Sequence, residues 1–400
     1  MRIERPNSTR LTNSTTAKKL CATAIISGTL TLLDDSTING TLSVSGGTLT
    51  VGTQLDLNRL ALSGGAISGG VLNLLGAQST LNGGGALNNS TLVIGETGLQ
   101  VGGIYMSNGT LRKRAGLASN ALVTVVNGGF LEARGTLTLD GATVRLASTG
   151  SSTYLRGNTS AGLTTLNIAG NGSIDFAGAD NANNDLTAWH GNSTLNVGTG
   201  IALTGSQSGG IFMGVGGTFS GTATASTAGK TLAFSGSNWN NAGTLRAAGG
   251  TVSLTSNTNT TWASSGTLDL DSGTLNLGGT FNTASFNSLD RDGVAAGTLA
   301  LTGALDNTGA TLLLDDSTGA VLLSGSITGG TLRANNPAGG ALVMNGVGYL
   351  IDTTLAGVNG VTGSGLYVVG NGQSMEARGT LTLDGATVRL ASTGSSTYLR

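Results

Sequence analysis

Neighbouring carboxylates occur at Asp34/Asp35, Asp269/Asp271, Asp290/Asp292 and Asp315/Asp316. Gathered with calcium and a basic residue on one exposed sheet, such pairs could cleave an acidic polysaccharide. They are scattered along the chain, however, and Asp-Asp-Ser-Thr and Asp-x-Asp-Gly are also turn formers whose carboxylates accept from nearby backbone N–H groups. His190 is the only histidine, so a two-histidine metal site is ruled out, and no G-x-S-x-G elbow accompanies it. The run Asp180, Asn181, Asn183 and Asp185 and the fragment Asp290, Asp292 offer oxygen ligands of calcium type. Neither completes an EF-hand loop, which needs a glutamate at position 12. These features predict no catalytic residue, no resident metal and no cofactor. Trp189, Trp239 and Trp262 are the candidates for glycan contact, since an exposed indole can stack on a sugar ring. Trp239 and Trp262 share a register, and stacked corner aromatics also cap an apolar interior.

The elements that carry these residues are short and repetitive. Gly-Thr-Leu-x-Leu/Val begins at Gly28, Gly40, Gly47, Gly135, Gly266, Gly273, Gly297 and Gly379. Each copy reads as a glycine turn followed by a strand. Side chains alternate along a strand, so Leu137 and Leu139 share one face while Thr136 and Thr138 share the other. Trp239, Gly243, Leu245, Gly250, Val252 and Leu254 recur, all at one constant offset, as Trp262, Gly266, Leu268, Gly273, Leu275 and Leu277. A period in the low twenties, built from short strands and glycine corners, is one turn of a parallel β-solenoid. The expected fold is all-β, a right-handed parallel β-helix of roughly 20–23 residues per turn and roughly 16–18 turns from residue 28 onward. The strand at Gly297 starts later after Gly266 than this offset allows, and the segment around Leu289 and Gly293 is expected to loop out of a corner.

At longer range, EARGTLTLDGATVRLASTGSSTYLR occupies residues 132–156 and again 376–400, an identical copy displaced by 244 positions. Such identity points to recent duplication or continuing homogenisation, and to a 28–400 array that is part of a longer chain. Residues 1–27 differ. Arg2, Arg5, Arg10, Lys18 and Lys19 precede a short apolar run, which reads as an irregular leading segment or a weak signal-like region.

Charged residues are only 10% of the chain, against about 25% in ordinary soluble domains, and Thr, Ser and Asn take the outward positions instead. In a parallel stack like sits on like, so rows of one charge would repel where rows of Leu, Thr or Asn are tolerated. Net charge is −1, which argues against a nucleic-acid partner. No apolar window is long enough to span a membrane as a helix. The Thr-x-Thr pairs invite comparison with ice-binding ladders, but Asp, Asn, Ala and Ser interrupt them, and exposed Thr is simply a good strand former.

GTLSVSGGTLTVG, NNAGTLRAAGGTVSL and SSGTLDLDSGTLNLGGTF resemble the repeats of giant bacterial surface and secreted proteins, the autotransporter passengers and filamentous-haemagglutinin-like adhesins. That resemblance implies a β-helix displayed outside the cell, serving in adhesion or as a stalk. Its partners would be glycans or proteins of host or neighbouring cells, with lateral self-association between rods. No two-partner secretion domain and no translocator barrel is recognisable. The expectation is therefore a non-enzymatic extracellular solenoid; the alternative is a polysaccharide-acting β-helix, a lyase or tailspike-like depolymerase. Acidic residues clustered in one groove would favour the alternative, and acids dispersed over different corners the first reading.

Overall fold

The computed structural model describes residues 28–159, 164–178, 183–254, 260–291, 297–315, 318–335 and 341–400, together with the backbone of four short strands that precede Gly28. Parallel strands stack into a β-solenoid of about 15 turns, with 61% of residues in strands, which makes the chain all-β. The one helix among the described residues is the short turn Thr283–Phe286. No described helix is long and apolar enough to cross a membrane. The array divides into two compact units, Met1–Thr222 and Ala223–Arg400.

In the first unit the Gly-Thr-Leu strands stack like on like. Thr29–Leu32 lies on Thr48–Val51, with Thr29 on Thr48, Leu30 on Leu49 and Thr31 on Thr50. A single row of leucines, Leu55, Leu72, Leu92, Leu111 and Leu139, runs through five successive coils. All five are essentially inaccessible to water. Burying each contributes about 1.5–3 kcal/mol, so these rows rather than surface charges hold the coils together. Glycine is required where coils touch at the corners: a Cβ at Gly47, whose φ is +69°, would fall 2.2 Å from the Gly28 carbonyl oxygen.

Coil length varies more widely than a period in the low twenties. Leu72 already lies beside Leu55, a coil shorter than expected, whereas Leu137 finds its neighbour only at Ile168, a coil much longer. Longer coils use up the chain faster, so the turns number about 15, fewer than expected. Ahead of Gly28, the short strands Thr9–Leu11, Lys18–Leu20 and Thr23–Ile25 pair in parallel with the coils that begin at Thr29 and Ser36.

The second unit keeps the constant offset of its sequence repeat. Trp239 pairs with Trp262, Leu245 with Leu268, Val252 with Leu275 and Leu254 with Leu277. Further on, six strands from Thr280–Asn282 to Tyr398–Leu399 form one parallel sheet, and four strands from Thr311–Leu314 to Thr382–Asp384 form another. The segment expected to loop out does not do so where it is described. Thr298–Leu301 stacks on Thr274–Leu277, and Leu289–Asp290 stacks on Leu268 and Asp269. Residues 283–290 therefore fill out a coil, with the helix turn replacing a corner. The Gly297 strand is the counterpart of the one at Gly273, not Gly266, and Gly293 lies outside the described residues. Deep in this unit Tyr367 donates its hydroxyl to the carbonyl oxygens of Leu332 and Ala356 (2.6 and 3.1 Å). Burial pushes its ionisation up to about 12, against a weaker opposing pull from the Arg333 charge.

Candidate functional site

The described members of the acidic pairs lie in separate coils, in turns, under an arginine or, for Asp290, at a strand end. Asp35 accepts from the Thr53 hydroxyl at 2.8 Å, at the turn where the Asp34 carbonyl accepts from Ser36. Asp315 accepts from the Thr318 N–H at 3.1 Å. Asp269 and Asp271 both reach Arg246, at 3.3 and 3.0 Å. Asp290 is exposed at the end of its short strand. Asp292 and Asp316 lie outside the described residues, as do Asp180 and Asn181 of the calcium-like run. Of that run's remainder, Asn184 is committed to backbone, donating to Ala177 O and accepting from Ser148 N. Asp185 is largely buried, and burial raises its carboxyl above the ordinary aspartate range. Among the described residues no three His, Cys, Asp or Glu side chains converge as a metal site would need.

Two of the three tryptophans are not glycan contacts. Trp239 is fully buried and Trp262 nearly so. They form the middle of an interior stack, Phe234, Trp239, Trp262 and Phe281, with successive ring centroids 5.7, 6.3 and 4.5 Å apart. An aromatic recurring at one register faces the same way in every coil, and here that way is inward. Trp189 differs, being 37% exposed with a backbone φ of +77°. A bulky residue in the left-handed region costs on the order of 1–3 kcal/mol and persists only where its surroundings fix it.

What fixes Trp189 is a cluster that no sequence motif announced. On strand Phe130–Ser148 the alternation of faces is interrupted, because Leu131, Glu132 and Ala133 are all buried. Glu132 is at an outward position but has no exposed side-chain surface. Its Oε1 accepts from Nε and Nη2 of Arg134 at 3.0 and 2.9 Å. Its Oε2 accepts from Arg156 Nε at 3.3 Å and from the Thr159 hydroxyl at 2.8 Å. The two guanidiniums are themselves held on aromatic faces. Arg134 lies 4.5 Å from the ring centre of Tyr105, and Arg156 lies 4.0 Å from Phe130 and 4.6 Å from Trp189. Tyr154 meets Trp189 edge-on at 5.3 Å, and a ring nitrogen of His190 is 3.1 Å from the Thr159 carbonyl oxygen. Parallel stacking assembles this group: Tyr105 is the register partner of Glu132, Glu132 of Arg156, and Phe130 of Tyr154. A carboxylate taken out of water costs several kcal/mol, which two guanidiniums and a hydroxyl offset here.

A second, looser version surrounds Glu376. Arg378 Nε donates to it at 3.0 Å, Arg400 stands 3.8 Å away, and Arg378 covers Tyr349 at 4.1 Å. Tyr349 is displaced from Tyr105 by the same offset as the duplication, although it lies outside the identical stretch. Asn108 and Asp352, again at that offset, both have positive φ, and each accepts from the N–H of the threonine after a glycine corner, Thr136 and Thr380. The duplication thus begins at least one coil before the identical stretch. Comparing the two regions at a fixed offset, without demanding identity, would have found it.

No family model matches the chain, and neither curated proteins nor solved structures give a match.

Proposed function

We propose that this chain is a non-enzymatic structural and adhesive β-solenoid, a segment of a bacterial surface adhesin or stalk displayed outside the cell. The observation that carries the reading is the dispersal of the acids. Asp140 is paired with Arg112, Asp175 with Arg145, and Asp269 and Asp271 with Arg246, all between adjacent coils. Carboxylates engaged in this way serve stacking, and a depolymerase would need them gathered in a groove with a free proton path. Outward rows of Thr, Ser and Asn supply many weak hydrogen-bonding positions, and repetition turns weak contacts into avidity. The resemblance of the repeats to autotransporter passengers and filamentous-haemagglutinin-like adhesins supports the extracellular setting and glycan or protein partners on neighbouring cells.

The deciding experiment incubates the protein with acidic and neutral polysaccharides, with and without calcium, scoring retention of protein and release of new chain ends. Retention without cleavage is expected. Reproducible cleavage would replace this reading with the polysaccharide-acting one.

A further inference from the structure

We propose that Trp189, Tyr154 and Arg134 form a binding site for a carboxylated saccharide on the outer face of the first unit. The proposal rests on the adhesive reading above and names the ligand class that one stretch of its surface would take.

Three observations lead there. Trp189 is the one tryptophan of three with an open surface, and it is held in a backbone conformation that an indole rarely adopts. Arg156 packs on the ring and Tyr154 meets it at right angles, so the indole is a firmly held ledge with part of its surface open to solvent. Sugar rings stack their C–H faces on ledges of this kind.

Next, Arg134 has an unused edge. Its Nε and Nη2 are spent on Glu132, whereas no hydrogen bond to Nη1 occurs among the described residues, and the side chain remains 36% exposed. A guanidinium fixed by a carboxylate on one edge and by the Tyr105 ring below is preorganised to take a second carboxylate on the other edge. Arg156, only 13% exposed, is already enclosed by Glu132, Phe130 and Trp189 and acts as a positioning residue.

Third, the ledge and the cation are joined through buried groups. Trp189 contacts Arg156, Arg156 and Arg134 share Glu132, and Glu132 is inaccessible to water. An aromatic ledge and a half-exposed cation in one rigid frame suit a ligand that is apolar on a ring face and anionic at its edge, which describes a uronic or sialic acid. A net charge of −1 supplies no long-range attraction for polyanions, so selectivity has to come from this local contact.

The test titrates the full chain, by ligand-observed NMR, with trigalacturonic acid and 3′-sialyllactose, and with their methyl esters. The acids are expected to bind at least about tenfold more tightly than the esters, the worth of one charge-assisted contact. Arg134→Gln abolishes that acid-over-ester preference, and Arg134→Lys, which keeps the charge facing Glu132, retains part of it. Trp189→Ala weakens acid and ester alike. Equal binding of acid and ester, unchanged binding by Trp189→Ala, equally tight binding of a glutamate hexapeptide, or no binding of either acid would each overturn the proposal. The adhesive reading fails separately, by cleavage in the polysaccharide experiment, and stands if retention there is insensitive to Trp189→Ala.

Discussion

Residues 132–156 and 376–400 are the same amino acids in two settings, and the difference between them isolates what a solenoid neighbour contributes. In the first copy Leu139, Leu146 and Leu155 are fully buried; their equivalents Leu383, Leu390 and Leu399 are 51, 47 and 42% exposed. The first copy carries Thr165–Gly178 and Asn184–Thr187 on its far side, whereas the second is paired on one side only among the described residues. One strand, Phe130–Ser148, becomes three, Ser374–Arg378, Thr382–Asp384 and Thr387–Leu390. Corner contacts made to the preceding coil survive. Asn127 accepts from Thr149 N and Ser151 N, and Asn371 accepts from Thr393 N and Ser395 N, all at 2.8–2.9 Å. Corner geometry is therefore set by the coil before, and burial of the leucine row needs the coil after as well.

The sharpest test places a charge in the buried leucine row of the first copy. Leu139→Asp should cost about 4 kcal/mol or more, by burying an unpaired carboxylate. Leu137→Asp and Leu268→Asp belong with it. Hydrogen exchange of the adjacent strands reads the effect, and unchanged protection would refute the inward assignment.

Glu132→Gln against Glu376→Gln comes next. Removing the first carboxylate leaves Arg156 enclosed without its counter-charge, a loss of about 3–5 kcal/mol in urea unfolding. Glu376 is 25% exposed and its second arginine stands farther off, so its loss should stay below about 1 kcal/mol.

A difference in the flanking coils gives a pH test. Tyr367 stands at the offset of Val123 in the first copy, and its folded-state ionisation lies above that of a free tyrosine. The stability it contributes is complete below pH 10 and is lost as pH rises toward about 12, a change on the order of 2–3 kcal/mol. Tyr367→Phe should remove that part of the alkaline decline in the second unit, followed by circular dichroism. An unchanged decline would dissociate Tyr367 from it.

Smaller effects sharpen the surface. Arg112 faces Asp140 across the first copy at 2.8 Å, whereas Ala356 faces Asp384 in the second. Arg112→Ala should lose the first pair at a cost of about 0.2–1 kcal/mol, reduced by salt. Thr136→Ser should be nearly silent, within about 0.5 kcal/mol, because only an outward methyl is lost.

Alternation and glycine spacing in the sequence determined that Thr29–Leu32, Thr48–Val51 and their relatives are strands, that their leucines face inward, and that Trp239 sits over Trp262. These are local consequences of the alternating side-chain period of a strand and of corners where only glycine fits. Tertiary structure alone decided that Glu132 meets Arg156 and Tyr105, because those contacts run between coils of unequal length. It also decided which tryptophans are buried, since a register fixes that two rings stack but not whether the shared face is inner or outer.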